Sequence, residues 1–362
     1  SGGLDSRAVL ASIPEAGLPN VTTFTYGIRG STEITEARHI ADAMGLDHRE
    51  IFLQDEFLER LPKLLVDTVY LSDGLQVINR SNLPLVYAAV AAGERPAAAI
   101  LTGVSGDHVF RDHISAWGNV PYLISADVAA MHREGRRRID QSVYEQMFAG
   151  QFSEIESGLE HMLDRLELEY GKFNQPESYY RYLMYVAGSR YFGGQAAIAN
   201  RYSYFRTPYW DRRMVKFGIE SCLGTAGLSV RTEGKDKFVE TVLQASVVAS
   251  NARLAKVPYV DLPVSVFTRK NKASYQAARV VRRLKATLSG RRRIAEEDWP
   301  LWYRTILAEQ IDDLLGETSR VREYVRAEFI AMKRAENDIH MLGKLITAEI
   351  ALRLAENGWR RS

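Results

Sequence analysis

Cysteine is nearly absent from this sequence. Cys222 is the only one in 362 residues, so no internal disulfide can form, and the chain reads as a protein of a reducing, cytosolic compartment. An excess of either charge is also missing. Lys and Arg number 47 against 45 Asp and Glu, a net +2, which gives no global pull toward nucleic acid or an anionic membrane. No stretch approaches the roughly 18 continuous apolar residues of a membrane span, and no basic segment leads into an apolar one as in a secretory leader. Internal repeats and low-complexity linkers are lacking too. What is present is the profile of a soluble globular protein, 46% apolar and 25% charged. Its length exceeds one small core, so two lobes or one large domain with a helical extension are expected.

One further absence is local. The chain opens on "SGGLDSRAVLAS", two glycines, two hydroxyls and an acid followed by a helical pattern, yet no strand precedes this loop. Beyond it the first 110 residues alternate strand and helix signals. Arg7–Ile13 predicts a helix stopped by Pro14 and Gly17, and Val21–Gly27 a β-branched, aromatic strand. Ser31 or Thr32 caps a helix whose stripe is Ile34, Ala37, Ile40, Ala41 and Met44, ending at Gly45. His48–Leu53 reads as a strand, Glu56–Leu71 as a helix strained by Pro62, Asn82–Ala92 as a helix, and Ala97–Gly103 as a buried strand. This rhythm predicts an α/β fold, a parallel sheet with helices on both faces, with ligands at the carboxyl ends of the strands. From about Ser125 the patterns are long and helical without clear strands, and 297–357 is helical too. The expected division is an α/β lobe over 1–124 and a mostly helical lobe over 125–362.

In a phosphate cradle, glycines let backbone N–H groups approach the anion, hydroxyls add donors, and the following helix offers its positive end. An acid inside such a loop suits a bridging divalent cation, since it would otherwise repel phosphate. A Gly-Gly turn with Asp5 or Ser6 as a helix cap is the plainer alternative.

The loop "SGGLDSR" resembles the pyrophosphatase (PP-loop) motif of N-type ATP pyrophosphatases, in the form of the asparagine synthetase family's synthetase domain. Three more stretches are similar to that family in order and spacing: "FTYG…EITEARHIADAMGLDHRE", "LTGVSGDHVF" beside the pattern L-S-G-E-G-A-D-E-L-F, and "RTPYWDRRMVKF" beside R-V-P-F-L-D-x-x-x-V. "LGKLITAEIALRLAENG" resembles the family's last helix. The resemblance implies an ATP-dependent ligase. A carboxylate attacks the α-phosphorus of ATP, pyrophosphate leaves, and an amine nitrogen takes the acyl group. It implies ATP and Mg²⁺, with Ser1, Gly2, Gly3 and Ser6 toward pyrophosphate, Asp5 and Asp107 on the metal, and Tyr26, Thr102 and Gly103 toward adenine and ribose. Lys256 is the expected pyrophosphate lysine, with Lys235 and Lys270 as alternatives. Asp211 is either architectural or substrate-facing. Family members carry a glutamine-hydrolysing domain and a first strand ahead of this loop, so the sequence is expected to be part of a longer polypeptide that draws ammonia from glutamine.

Departures from the family pattern concern the substrate. Val104 stands at the glutamate of G-E-G-A-D-E and cannot move a proton, so a base must come from elsewhere. His108 takes the place of that motif's second acid and is the candidate. Gln195 and Tyr204 replace two further acids. The acid substrate is therefore expected to differ from free aspartate. A cyclase of the lasso-peptide or β-lactam type, and a non-catalytic or RNA-directed nucleotide-binding module, are the alternatives. Residues 269–293 hold ten Lys/Arg and no acid, which reads as a solvated basic helix or a flap over nucleotide ahead of an RNA surface. His108 and His113 have no third ligand at helical spacing, so they do not read as a metal pair.

Overall fold

The computed structural model describes residues 2–92, 96–106, 109, 145–148, 189–217, 238–259, 262–268 and 294–360, with scattered positions between 157 and 284. Ser1, Asp107, His108, His113, Lys235 and Lys270, and most of the long patterns between 111 and 188, lie outside the described residues.

The chain divides into two compact units, each assembled from three stretches: Ser1–Gln54, Ala97–Gly118 and Tyr204–Glu297 in the first, and Asp55–Pro96, Asn119–Ser203 and Asp298–Ser362 in the second.

The first unit begins with α1 (Leu4–Ala16). It starts three residues before the predicted helix and runs through Pro14. The proline sits in the last turn, where only one ladder bond is lost, and Gly17 at φ 62° ends the helix with its N–H on the Pro14 carbonyl. β1 (Thr22–Gly27), α2 (Thr32–Met44) and β2 (Asp47–Phe52) follow. The strands pair in parallel from Thr22 opposite Asp47 to Gly27 opposite Phe52. Ser31 caps α2 by accepting from the Ile34 N–H, and the buried face of α2 is Ile34, Ala37, Ile40, Ala41 and Met44, the predicted stripe.

β3 (Ala99–Leu101) forms a second parallel pair with β4 (Tyr204–Arg206). β4 corrects the expectation of a region without strands. It is three residues long, and only Phe205 turns inward while Tyr204 and Arg206 face out, too short for a period-two pattern to register. Among the described residues the strands thus form two parallel pairs rather than one continuous ladder, and the chain is mixed α/β with helix predominant. α6 (Phe238–Ser250) packs on α1. Leu4, Ala8 and Ala11 of α1, Ala245 and Val248 of α6, Ile40 and Met44 of α2, and Leu254 share one apolar core.

The second unit is helical. α3 (Glu56–Leu71) carries Pro62 in its first two turns without breaking. α4 (Asn82–Ala91) is followed by α5 (Ser189–Asn200), and the Gln195 amide on α5 donates to the Tyr87 hydroxyl on α4 at 2.9 Å. Where one long helical stretch was predicted over 297–357, four helices occur: α7 (Trp299–Arg304), α8 (Ala308–Leu314), α9 (Ala327–Glu336) and α10 (Ile339–Glu356). The breaks have local causes. Asn337 adopts the left-handed conformation at φ 50° at the end of α9, and Asp298 and Asp338 cap α7 and α10. Phe57 meets the Trp302 ring edge-on at 5.3 Å, and Trp302 meets Trp299 at 5.0 Å. The described residues contain no helix long and apolar enough to cross a membrane.

Candidate active site

Gly3 is the N-cap of α1 and supplies no side-chain cap, so the opening loop hands a helix start to its surroundings with backbone donors only. The Gly2 N–H donates to Glu33 Oε2 at 3.1 Å. One backbone donor of the loop thus already serves a carboxylate. Gly2 also lies flat against the Glu36 side chain, and a Cβ there would collide with it. Asp5 and Ser6 occupy the first turn of α1.

The second loop, after β3, closes on this turn. A Cβ on Gly103 would lie 2.6 Å from the Ser6 amide nitrogen and 2.7 Å from the Asp5 carbonyl carbon. One on Gly106 would lie 2.7 Å from the Asp5 carboxyl carbon. At Gly103 the atoms met are backbone, so another residue there would displace the helix start, whereas at Gly106 they are side-chain ends that would have to turn aside. The loop between them is built of small bonds. The Val104 N–H donates to Thr102 Oγ1 at 3.3 Å, and Ser105 adopts φ 70°. The Ser105 hydroxyl is buried without a hydrogen-bond partner among the described residues.

The third stretch, 206–211, clamps both. The Arg206 carbonyl accepts from the Thr102 N–H at 3.1 Å. Thr207 Oγ1 donates to the Val104 carbonyl at 2.6 Å, and the buried Tyr209 hydroxyl donates to the Asp5 carbonyl at 3.1 Å. Sequence reasoning singled out this stretch but gave Thr207 and Tyr209 no role. Their signal was their place inside a motif segment, and only the fold says what they grip.

Arg7 was also missed. It is 2% exposed, its Nε donates to the Gly2 carbonyl at 2.9 Å, and one terminal nitrogen donates to the Val257 and Pro258 carbonyls at 3.2 and 2.9 Å. Burial pushes the guanidinium down from its ordinary value, while Glu36, Tyr259 and Glu33 pull it back up. Through Arg7 the opening loop is tied to the segment that follows Lys256. Lys256 itself ends a short 3-10 turn, Leu254–Lys256, and is exposed.

Tyr26 lies next to the carboxyl end of β1, and Thr102 and Gly103 follow the carboxyl end of β3, the ends at which parallel sheets hold ligands. Asp211 is engaged locally. Its carboxylate accepts from the Arg213 backbone N–H at 2.9 Å and from the Arg213 guanidinium at 3.0 and 3.1 Å, which pulls its pKa down to about 2. Both side chains of the pair stand in solvent, so it orders a turn and adds little stability. Of the other histidines, His48 makes an ordinary polar contact, 2.8 Å from Nδ1 to Thr23 Oγ1. The described residues hold no cluster of three His, Cys, Asp or Glu suited to a metal. Asp107, the expected second acid, is outside them.

The structure therefore brings together Gly2, Gly3, Asp5, Ser6, Gly103 and the 206–211 segment. The donor set is backbone N–H groups, hydroxyls and one carboxylate, over a floor kept bare by glycine. That chemistry fits a polyphosphate with its cation. A family model described as asparagine synthase matches residues 1–220. Nothing among the curated proteins matches the chain.

Proposed function

Since the chain belongs to the asparagine synthase family, we propose that it is an ATP-dependent carbon–nitrogen ligase that adenylates a carboxylate, releases pyrophosphate and transfers the acyl group to an amine. The observation that carries this reading is the seating of Gly103 and Gly106 against Asp5 and Ser6. It gathers the two loops of the motif pattern at one helix start.

In this reading Ser1, Gly2, Gly3 and Ser6 bind the pyrophosphate oxygens, and Asp5 with Asp107 holds Mg²⁺. Bound there, the metal would supply positive charge to offset that of the phosphates. Tyr26, Thr102 and Gly103 face adenine and ribose, and Lys256 serves the pyrophosphate. The chain's own contribution is chiefly positional. Thr207 and Tyr209 fix the backbones of Val104 and Asp5, which sets the place from which the Asp5 side chain projects. Asp211 plays an architectural part, ordering the turn after Trp210. His108 is the proposed base for the incoming amine, because Val104 offers none. Ammonia from glutamine, made by an upstream glutaminase domain, is the proposed nitrogen source, and the cytoplasm the proposed compartment.

A test is acid-dependent exchange of labelled pyrophosphate into ATP. Asp5→Asn, matched in size, is expected to lower exchange by about 100-fold, the scale of a lost electrostatic group in an active site. Exchange at the wild-type rate in that variant, with the fold intact by circular dichroism, rejects the assignment of Asp5 and with it this reading.

A further inference from the structure

Gln244 lies on α6 among Thr241, Ala245 and Val248, all buried, and is itself 2% exposed. Ala245 and Val248 belong to the apolar core shared with α1. Into that setting Gln244 brings a primary amide whose two halves are unequally served. Its Nε2 donates to Asp5 Oδ1, while its Oε1 is buried with no hydrogen-bond partner among the described residues. An amide oxygen stripped of water and left unpaired is costly, and a leucine would fill the same volume without that cost. Gly106 packs directly on the pair. A Cβ on Gly106 would stand 2.5 Å from Asp5 Oδ1 and 3.0 Å from Gln244 Nε2.

The amide has a positive end and a negative end, and the carboxylate beside it has use for each in turn. Without a cation, the N–H is the nearest thing to a positive charge that Asp5 has from this side chain. With a divalent cation on the carboxylate, the N–H would face like polarity and the orphaned oxygen would gain a partner. The last torsion of glutamine is broad and roughly two-fold, so the exchange needs only a half-turn. Hard cations accept amide oxygens together with carboxylates.

We propose that Gln244 is a positioning residue of the Asp5 cation site. Its Nε2 holds the carboxylate in the cation-free protein, and on binding of a divalent cation the amide turns Oε1 toward it, directly or through one water of its shell. This rests on the reading of Asp5 as a cation ligand and adds to it a residue that the motif loops do not contain.

The test needs no turnover. The full chain is titrated with Mn²⁺ in the presence of pyrophosphate, and free Mn²⁺ is read by electron paramagnetic resonance. Gln244→Met, equal in length and without the amide, is expected to weaken Mn²⁺ binding about tenfold, the loss typical of a partner that orients a metal ligand. Gln244→Glu is expected to restore wild-type affinity or better. Its melting temperature should be low in chelator, where two carboxylates face each other, and recover with Mn²⁺. Melting temperatures lowered in both variants, with unchanged Mn²⁺ affinity, would show a structural role and overturn the proposal. Asp5→Asn separates the two levels. If it loses Mn²⁺ while Gln244→Met keeps it, the Gln244 proposal alone falls. If the wild type binds no Mn²⁺, or Asp5→Asn binds as well as wild type, the reading of Asp5 fails and the proposal fails with it.

Discussion

Ser105 shows how much conformation one residue can concentrate. In the pattern L-S-G-E-G-A-D-E this position is a glycine, and the structure says why: φ is 70°, a region an L-residue enters at a cost of about 1–2 kcal/mol. This chain places serine there and moves its glycine one position on, to Gly106, where a side chain would strike the Asp5 carboxylate. The serine also buries a hydroxyl without a partner among the described residues. Ser105→Gly relieves the backbone and removes that hydroxyl, while the added freedom of the unfolded chain returns part of the gain. The expected net is about 1 kcal/mol of added stability, a rise near 2 °C in melting temperature. A fall instead would show that the hydroxyl supports the loop. The substitution of glycine by serine was visible in the sequence beside the family pattern. Its backbone consequence was not, since a residue name carries no φ. Gln244 was less visible still, a polar residue on an apolar helical stripe whose meaning depends on Asp5, 239 positions away.

Among elements, legibility followed local signals. α2 emerged with its cap, its stripe and its terminal glycine because each is written within four residues of where it acts. α3 matched its predicted bounds on its apolar spacing, with no side-chain cap bond at Asp55 and Ser72 rather than glycine at its end. β4 did not, since three residues with one inward side chain leave no period to detect. The long pattern over 297–357 concealed its breaks because apolar spacing alone does not register a left-handed Asn337. The junction between α1 and the segment after residue 256 was illegible in principle. Arg7 looks like a polar residue on a helix, yet it is buried and bonds three carbonyls, those of Gly2, Val257 and Pro258. Arg7→Ala leaves these carbonyls without their donor and removes the stem that packs beneath them. A loss of about 3 kcal/mol is expected in urea unfolding. Arg7→Lys should recover less than half of it, since one ammonium cannot reproduce the fixed fork of the guanidinium. Full recovery with lysine would mean that charge rather than geometry holds the junction.

At the scale of the whole molecule, the first unit collects its site from stretches that begin near residues 1, 97 and 204. No periodicity links such distant pieces; the resemblance of four motifs in order did, and the glycine contacts now give it a physical form. In the proposed ligase that assembly would also frame the choice of substrate. Val104 is half-buried, and its backbone is held at both ends, by Thr102 through the N–H and by Thr207 through the carbonyl. Its side chain is apolar where the family pattern has a carboxylate. An apolar wall discriminates weakly among apolar groups but rejects a second charge that it cannot pair. Free aspartate carries such a charge beside its reacting carboxyl, together with an ammonium that would look in vain for an acid at this position. The proposed ligase is therefore expected to exchange pyrophosphate with aspartate at least tenfold more slowly than with the best acid of a panel of N-acylated, peptidyl and apolar carboxylates. Val104→Glu should narrow that gap from the aspartate side and slow exchange with the preferred acid, because the new carboxylate would be desolvated beside apolar substrate. Vigorous asparagine formation by the unaltered protein would defeat the argument. It would mean that the acid needed for aspartate is supplied from outside the four motifs, and that Val104 does not set the choice of acid.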